Sequence, residues 1–112
     1  MLFRSIRVAG QTYERGLGVH APSEIRYSLA GEYKSFHVVP GPDDEHHGYL
    51  EMKILMDGKE VYASGKVRSF GFKSEAQDIS VQGATNLTLI VTDGGDTNGG
   101  DHADWADAYL MK

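Results

Sequence analysis

The chain has no cysteine, so a disulfide framework, a thiolate zinc site and a cysteine nucleophile are all closed to it. No stretch reaches the roughly 18 consecutive apolar residues that cross a bilayer, and the first residues lack the apolar segment of a secretory leader. Membrane insertion is therefore not expected. Basic residues are few, 11 against 16 acidic ones for a net charge of -5, and they are scattered instead of forming a stripe. Nucleic acid is excluded as a partner on that ground, because affinity for phosphates rests on clustered positive charge. No window carries an apolar i, i+3, i+4, i+7 stripe with caps, which leaves little or no helix. A nucleophile elbow, a phosphate loop and an HExxH pair are also missing.

What the chain does have is period-two patterning. With 112 residues, 40% hydrophobic and 24% charged, it has the size and composition of one domain, expected over residues 1–112. "YLEMKILMDG" puts Leu50, Met52, Ile54 and Met56 on one face and closes on Asp57-Gly58, a hairpin signal before "KEVYASG". "EIRYSLAG" alternates Ile25, Tyr27 and Leu29, and "NLTLIVTD" alternates Leu87, Leu89 and Val91. Weaker strands are expected at "LFRSIRVAG", "KSFHVVPG", "DISVQG" and "DWADAYLM". Many short strands separated by Gly, Pro, Asn and Asp predict an all-β fold: an antiparallel β-sandwich of jelly-roll type.

The chemistry concentrates in "GGDTNGGDHADWADAYL", Gly94 to Leu110. Asp93, Asp96, Asn98, Asp101 and Asp104 offer hard oxygen donors among four glycines, the donor type calcium takes six to eight of. The tract is not an EF-hand loop, since Gly100 stands where a ligand belongs and no glutamate closes it. A solvated turn that merely tolerates left-handed backbone angles accounts for the same composition. Trp105 is open to two readings: a core ring burying a large apolar area, or a platform for the C–H face of a pyranose, with His102 and Asp104 as directional partners. His20 in "GLGVHAPS" joins either group. The adjacent His46 and His47 would point to opposite faces of a strand, which disfavours a shared zinc or copper ion. Carboxylates are plentiful, but no spacing sets two of them across a cleft as a glycosidase requires.

The blocks "YERGLGVHAPSEIRYSLAGEYKSF", "GPDDE", "MDGKEVYASG" and "NLTLIVTDGGDTNGGDHADWADAYL" follow the order and about the spacing of the NPCBM family, also called carbohydrate-binding module family fifty-one. The chain resembles that family from about Val8 to Leu110. The resemblance implies a jelly roll that binds carbohydrate without cleaving it, reads terminal galactose or related glycans, holds calcium and serves a secreted glycoside hydrolase. Location outside the cell or at its surface or periplasm follows from the same resemblance. Matched residue by residue, it covers His20, the pair Asp43 and Asp44, and His102, Asp104, Trp105 and Asp107.

The resulting expectation places saccharide contacts at His20, Asn98, His102, Asp104 and Trp105, and a structural calcium ion at Asp43, Asp44, Asp96, Asp101 and Asp107. The expected partners are a glycan, a catalytic domain in a parent chain, and a second copy through an uncovered sheet edge. The alternative is a structural or oligomerisation domain that binds no sugar. Two departures stand out. The family carries a further strand or two, one with a tryptophan, before the stretch that begins here, which would leave an edge uncovered. Pro40 and Pro42 also stiffen a segment that is less constrained in the family, and His46 and His47 would alter its rim.

Overall fold

A computed structural model describes residues 6–13, 16–20, 22–43, 49–68, 72–92 and 102–112. The described residues form ten strands and no helix: β1 (Ile6–Val8), β2 (Gln11–Tyr13), β3 (Gly16–His20), β4 (Ser23–Ser28), β5 (Ser35–Pro42), β6 (Glu51–Met56), β7 (Lys59–Ala63), β8 (Gln77–Ser80), β9 (Asn86–Thr92) and β10 (His102–Met111). Two four-stranded antiparallel sheets, ordered β3-β10-β5-β8 and β4-β9-β6-β7, pack as a jelly-roll sandwich, and β1 and β2 add a short hairpin. Apart from the β6–β7 hairpin, successive strands from β3 onward change sheet at each step.

The alternation read from the sequence explains the packing. Met52 and Ile54 of β6 and Leu87, Leu89 and Val91 of β9 are fully buried, joined by Leu29, Phe36, Val38, Leu50, Val81 and Trp105 in one core between the sheets. Partners on β4 follow the same rule, with Ile25 opposite Leu89 and Tyr27 opposite Leu87. Burying such faces is the dominant favourable contribution, about 25 cal/mol per Å² of apolar surface removed from water. At Asp57-Gly58 the φ angles are 52° and 81°, the two left-handed residues of a tight hairpin turn. Asp57 also fastens that turn to its neighbour, because its Oδ1 accepts from the backbone N–H groups of Thr85 at 2.9 Å and Asn86 at 2.8 Å.

Prolines 40 and 42 fall inside β5 although β5 is flanked by two strands. The register removes the conflict. β8 pairs only with Ser35 to Val38, so from Pro40 onward β5 has β10 alone as its neighbour and behaves as an edge. A second, smaller cluster of Val8, Val39 and Ala106, with Phe72 packed on it, covers the middle of the outer face of this sheet.

Candidate functional site

β10 runs between β3 and β5, and its period-two alternation separates two sets of residues. Ala103 and Trp105 enter the core, while His102, Asp104 and Ala106 alternate with them on the outer face. The register then defines three cross-strand rows. In the first, His102 stands opposite His20 on β3, and the N–H of Asp43 at the end of β5 donates to the His102 carbonyl at 3.1 Å. In the second, Asp104 lies between Gly18 and Gly41. The third is Gly16, Ala106 and Val39, beneath the Val8 and Phe72 cap.

Of the two glycines beside Asp104, only Gly41 is demanded by packing. A Cβ on Gly41 would fall 2.5 Å from Val8 Cγ1 and 2.6 Å from Phe72 Cε2, and one on Gly18 would touch Asp104 Oδ1 at 3.4 Å. The Asp104 carboxylate thus has the Val8 and Phe72 side chains packed over Gly41 on one side and the exposed Gly18 on the other. Asp104 and Asp43 are each only 3% exposed, and His102 is half-buried. Carboxylates this far out of water need partners, and neither aspartate is without one.

Of the residues expected to touch saccharide, His102 and Asp104 share this face and His20 takes the adjoining register position. Trp105 does not. Its indole is 0% exposed within the core cluster, and Nε1 has no hydrogen-bond partner among the described residues. The core reading of Trp105 is therefore the correct one, and its ring offers no stacking face. Asn98 lies outside the described residues, as do Asp44, Asp96 and Asp101 of the expected calcium set.

The remaining two calcium candidates are far apart. Asp107 sits at a β-bulge between Ala106 and Tyr109 with φ of 50°, and its Oδ2 faces His37 Nε2 at 3.4 Å. His37 Nδ1 meets Asp78 Oδ1 at 2.7 Å, and its ring stacks on Tyr109 with centroids 4.8 Å apart. Position 107 is five residues along β10 from His102, the neighbour of Asp43, which is about 16 Å at 3.3 Å per residue. Calcium ligands stand only about 2.4 Å from the ion, so Asp107 and Asp43 cannot share one. Asp43 and Asp107 thus do not belong to one ion, Asp107 faces His37 at the bulge, and among the described residues no three His, Asp or Glu side chains gather as a metal site.

Two features escaped the sequence reading. Gly16 and Gly18 in "GLGVH" alternate like strand residues, a signal that one strand face lacks side chains. Tyr49, 36% exposed just before β6, has the Lys66 ammonium 5.1 Å and the Arg68 guanidinium 5.3 Å from its ring centroid. An apolar cleft of about 270 Å³ also opens beside β3 and β4, lined in part by Leu17, Tyr27, Phe36, Leu87, Leu89 and Leu110. It contains none of the expected site residues.

A sequence profile described as the NPCBM/NEW2 domain matches residues 3–111. The chain belongs to the NPCBM/NEW2 family. A Renibacterium salmoninarum protein bearing the name endo-alpha-N-acetylgalactosaminidase is 33% identical over 108 residues, covering 95% of this chain and 7% of that protein. The chain thus spans a small part of the length of that curated relative. Among solved structures, the CBM51 of Clostridium perfringens GH95 in complex with methyl-galactose superposes with a TM-score of 0.83 at 30% identity, over 96% of this chain and 79% of that one. The Clostridium perfringens ZmpB structure with an M60 catalytic domain and two CBM51 domains gives a TM-score of 0.84 at 32% identity, over 96% of this chain and 12% of that one. This NPCBM/NEW2 chain is therefore a carbohydrate-binding module, of a kind that occurs as an accessory domain of glycoside hydrolases.

Proposed function

We propose that the module binds a terminal galactose-type saccharide, without cleaving it, on the outer face of β3, β10 and β5. The observation that supports this most is the gathering of His102, Asp43 and Asp104 on adjacent strands, beside an exposed Gly18 that lets a sugar ring approach the backbone. The carboxylates accept from sugar hydroxyls, and the imidazole of His102 donates or accepts according to its tautomer. The methyl-galactose held by the Clostridium perfringens relative supports the choice of sugar. A few polar contacts leave little free energy after the cost of association, so affinity for a monosaccharide is expected at about 0.1 to 1 mM. Work outside the cell, in a chain that also carries a catalytic domain, belongs to the same proposal.

Calcium is a separate part of it. With Asp107 removed, the ligand set is Asp43 with Asp44, Asp96 and Asp101, and the ion would brace the 93–101 segment that joins β9 to His102. Calorimetric titration with methyl galactoside and N-acetylgalactosamine, with and without a chelator, tests both parts. Binding is expected to weaken by about tenfold or more in Asp104→Asn, the range for a lost hydrogen bond to a charged group. Weakening by the chelator supports the ion. Absence of heat with every glycan would overturn the saccharide proposal and favour an interaction domain.

A further inference from the structure

The end of β10 is a sheet edge on one side. β3 begins at Gly16, opposite Ala106, so from Ala108 to Met111 β10 has β5 along one side and, among the described residues, no strand along the other. The Met111 carbonyl accepts from the Lys34 N–H at 2.7 Å and is therefore turned toward β5. Backbone groups alternate sides along an antiparallel strand, so the N–H and C=O of Leu110 and Ala108 are turned to the open side. Their side chains point inward and line the apolar cleft of about 270 Å³ between the sheets. Strand edges are usually protected by charge, and three edge strands of this protein are: β4 carries Glu24 and Arg26, β7 Lys59 and Glu60, and β8 Asp78. The stretch "AYLM" from Ala108 to Met111 carries no charge, and Met111 is 52% exposed.

Such an edge is matched by another extended backbone. A second copy of the same edge fits it. Ala108 and Leu110 are two residues apart, so an antiparallel copy centred on Tyr109 sets Ala108 opposite Leu110 of the second copy and Leu110 opposite its Ala108. Every outward-turned N–H of the four residues then meets a carbonyl. Directly opposite residues share a face, so each leucine lies beside a small alanine over the joined apolar clefts. Two short edges bury less than the roughly 1,200 Å² of a standard interface, so the pair is expected to exchange with monomer and to grow with concentration.

We propose that two copies of this chain pair through Ala108 to Met111 of β10, joining their β3-β10-β5-β8 sheets into one sheet of eight strands. The outer faces of both sheets then look the same way, with the two Asp104 positions about 30 Å apart, so a surface bearing many glycans would be held at two sites. That consequence rests on the saccharide reading above; the pairing does not. Sedimentation equilibrium of the full chain tests it, with the mass expected to rise from 12.3 kDa toward twice that value as concentration reaches the millimolar range. Tyr109→Lys, which sets like charges opposite one another, should keep the protein monomeric. Because the chain has no cysteine, Tyr109→Cys reads the register: the two copies of this position stand about 4.5 Å apart at Cα, within disulfide range, so oxidised glutathione should link the variant into a dimer. Met111→Cys, displaced by about 13 Å along the strands from its equivalent, should stay unlinked. A mass of one chain at every concentration would overturn the proposal and leave the edge to a strand of another domain. A dimer in which position 109 links no faster than position 111 would overturn it as well, and in either case the saccharide reading stands.

Discussion

Trp105→Ala is expected to lose about 4 kcal/mol of folding stability, within the range for removing a buried Phe or Trp side chain. The indole is wholly enclosed between the sheets, against a core that includes Ile54, Leu89 and Val38, and alanine would leave a cavity that rigid strands on both sides cannot close. That loss is comparable with the full margin of a domain this size, so thermal unfolding should shift by well over 10 °C or the variant should fail to accumulate folded. Trp105→Phe separates packing from recognition. It keeps most of the ring volume and removes an indole N–H that has no partner among the described residues, so a cost below about 1.5 kcal/mol is expected. Saccharide affinity should be unchanged in this variant. A fully stable Trp105→Phe protein without affinity would mean that the indole meets the sugar.

Gly16→Ala is the second large effect. Gly16 has φ of 142°, and an added Cβ would lie 2.6 Å from the Trp105 carbonyl oxygen, 2.9 Å from Ala106 Cα and 3.1 Å from the Asp107 nitrogen. These are backbone atoms of the central strand, held by pairing on both sides, so they have no rotamer with which to move away. Overpacking combined with left-handed strain is expected to cost about 3 kcal/mol, read as a lower urea midpoint at unchanged slope. Gly18→Ala, by contrast, meets a single side-chain oxygen at 3.4 Å and should change stability by less than about 1 kcal/mol.

Strands were legible in the sequence wherever one face is buried and the other wet, because that contrast writes the alternation directly. Leu87, Leu89 and Val91, or Met52 and Ile54, could hardly be arranged otherwise. The role of Trp105 was within reach of the same rule. In "HADWADAYL" His102 and Asp104 share one parity and Trp105 the other, so a strand that turns the first pair away from the core must bury the ring. What misled was its company, since acidic neighbours in sequence point away from it across the sheet.

Asp107 was not legible in this way. A bulge inserts one residue between Ala106 and Tyr109 and breaks the parity, and no residue type marks it, because Asp is among the few non-glycine residues that enter left-handed conformations readily. His37, which faces Asp107 in space, is 70 positions away in sequence, and that contact depends on the register of three strands. Tyr49 was missed for a related reason. Its cationic neighbours are brought to it by a single bridge, between Leu50 and Val67, with no strand pattern around it.

The placement of the saccharide on the outer face of β3, β10 and β5 is tested most directly by a backbone amide NMR titration with methyl galactoside. Perturbed resonances should concentrate at Gly18 to His20, Gly41 to Asp43 and His102 to Asp104, with Trp105 Nε1–H moving little. Shifts confined to the outer face of the β4-β9-β6-β7 sheet, or to the cleft beside Leu17 and Tyr27, would contradict the account.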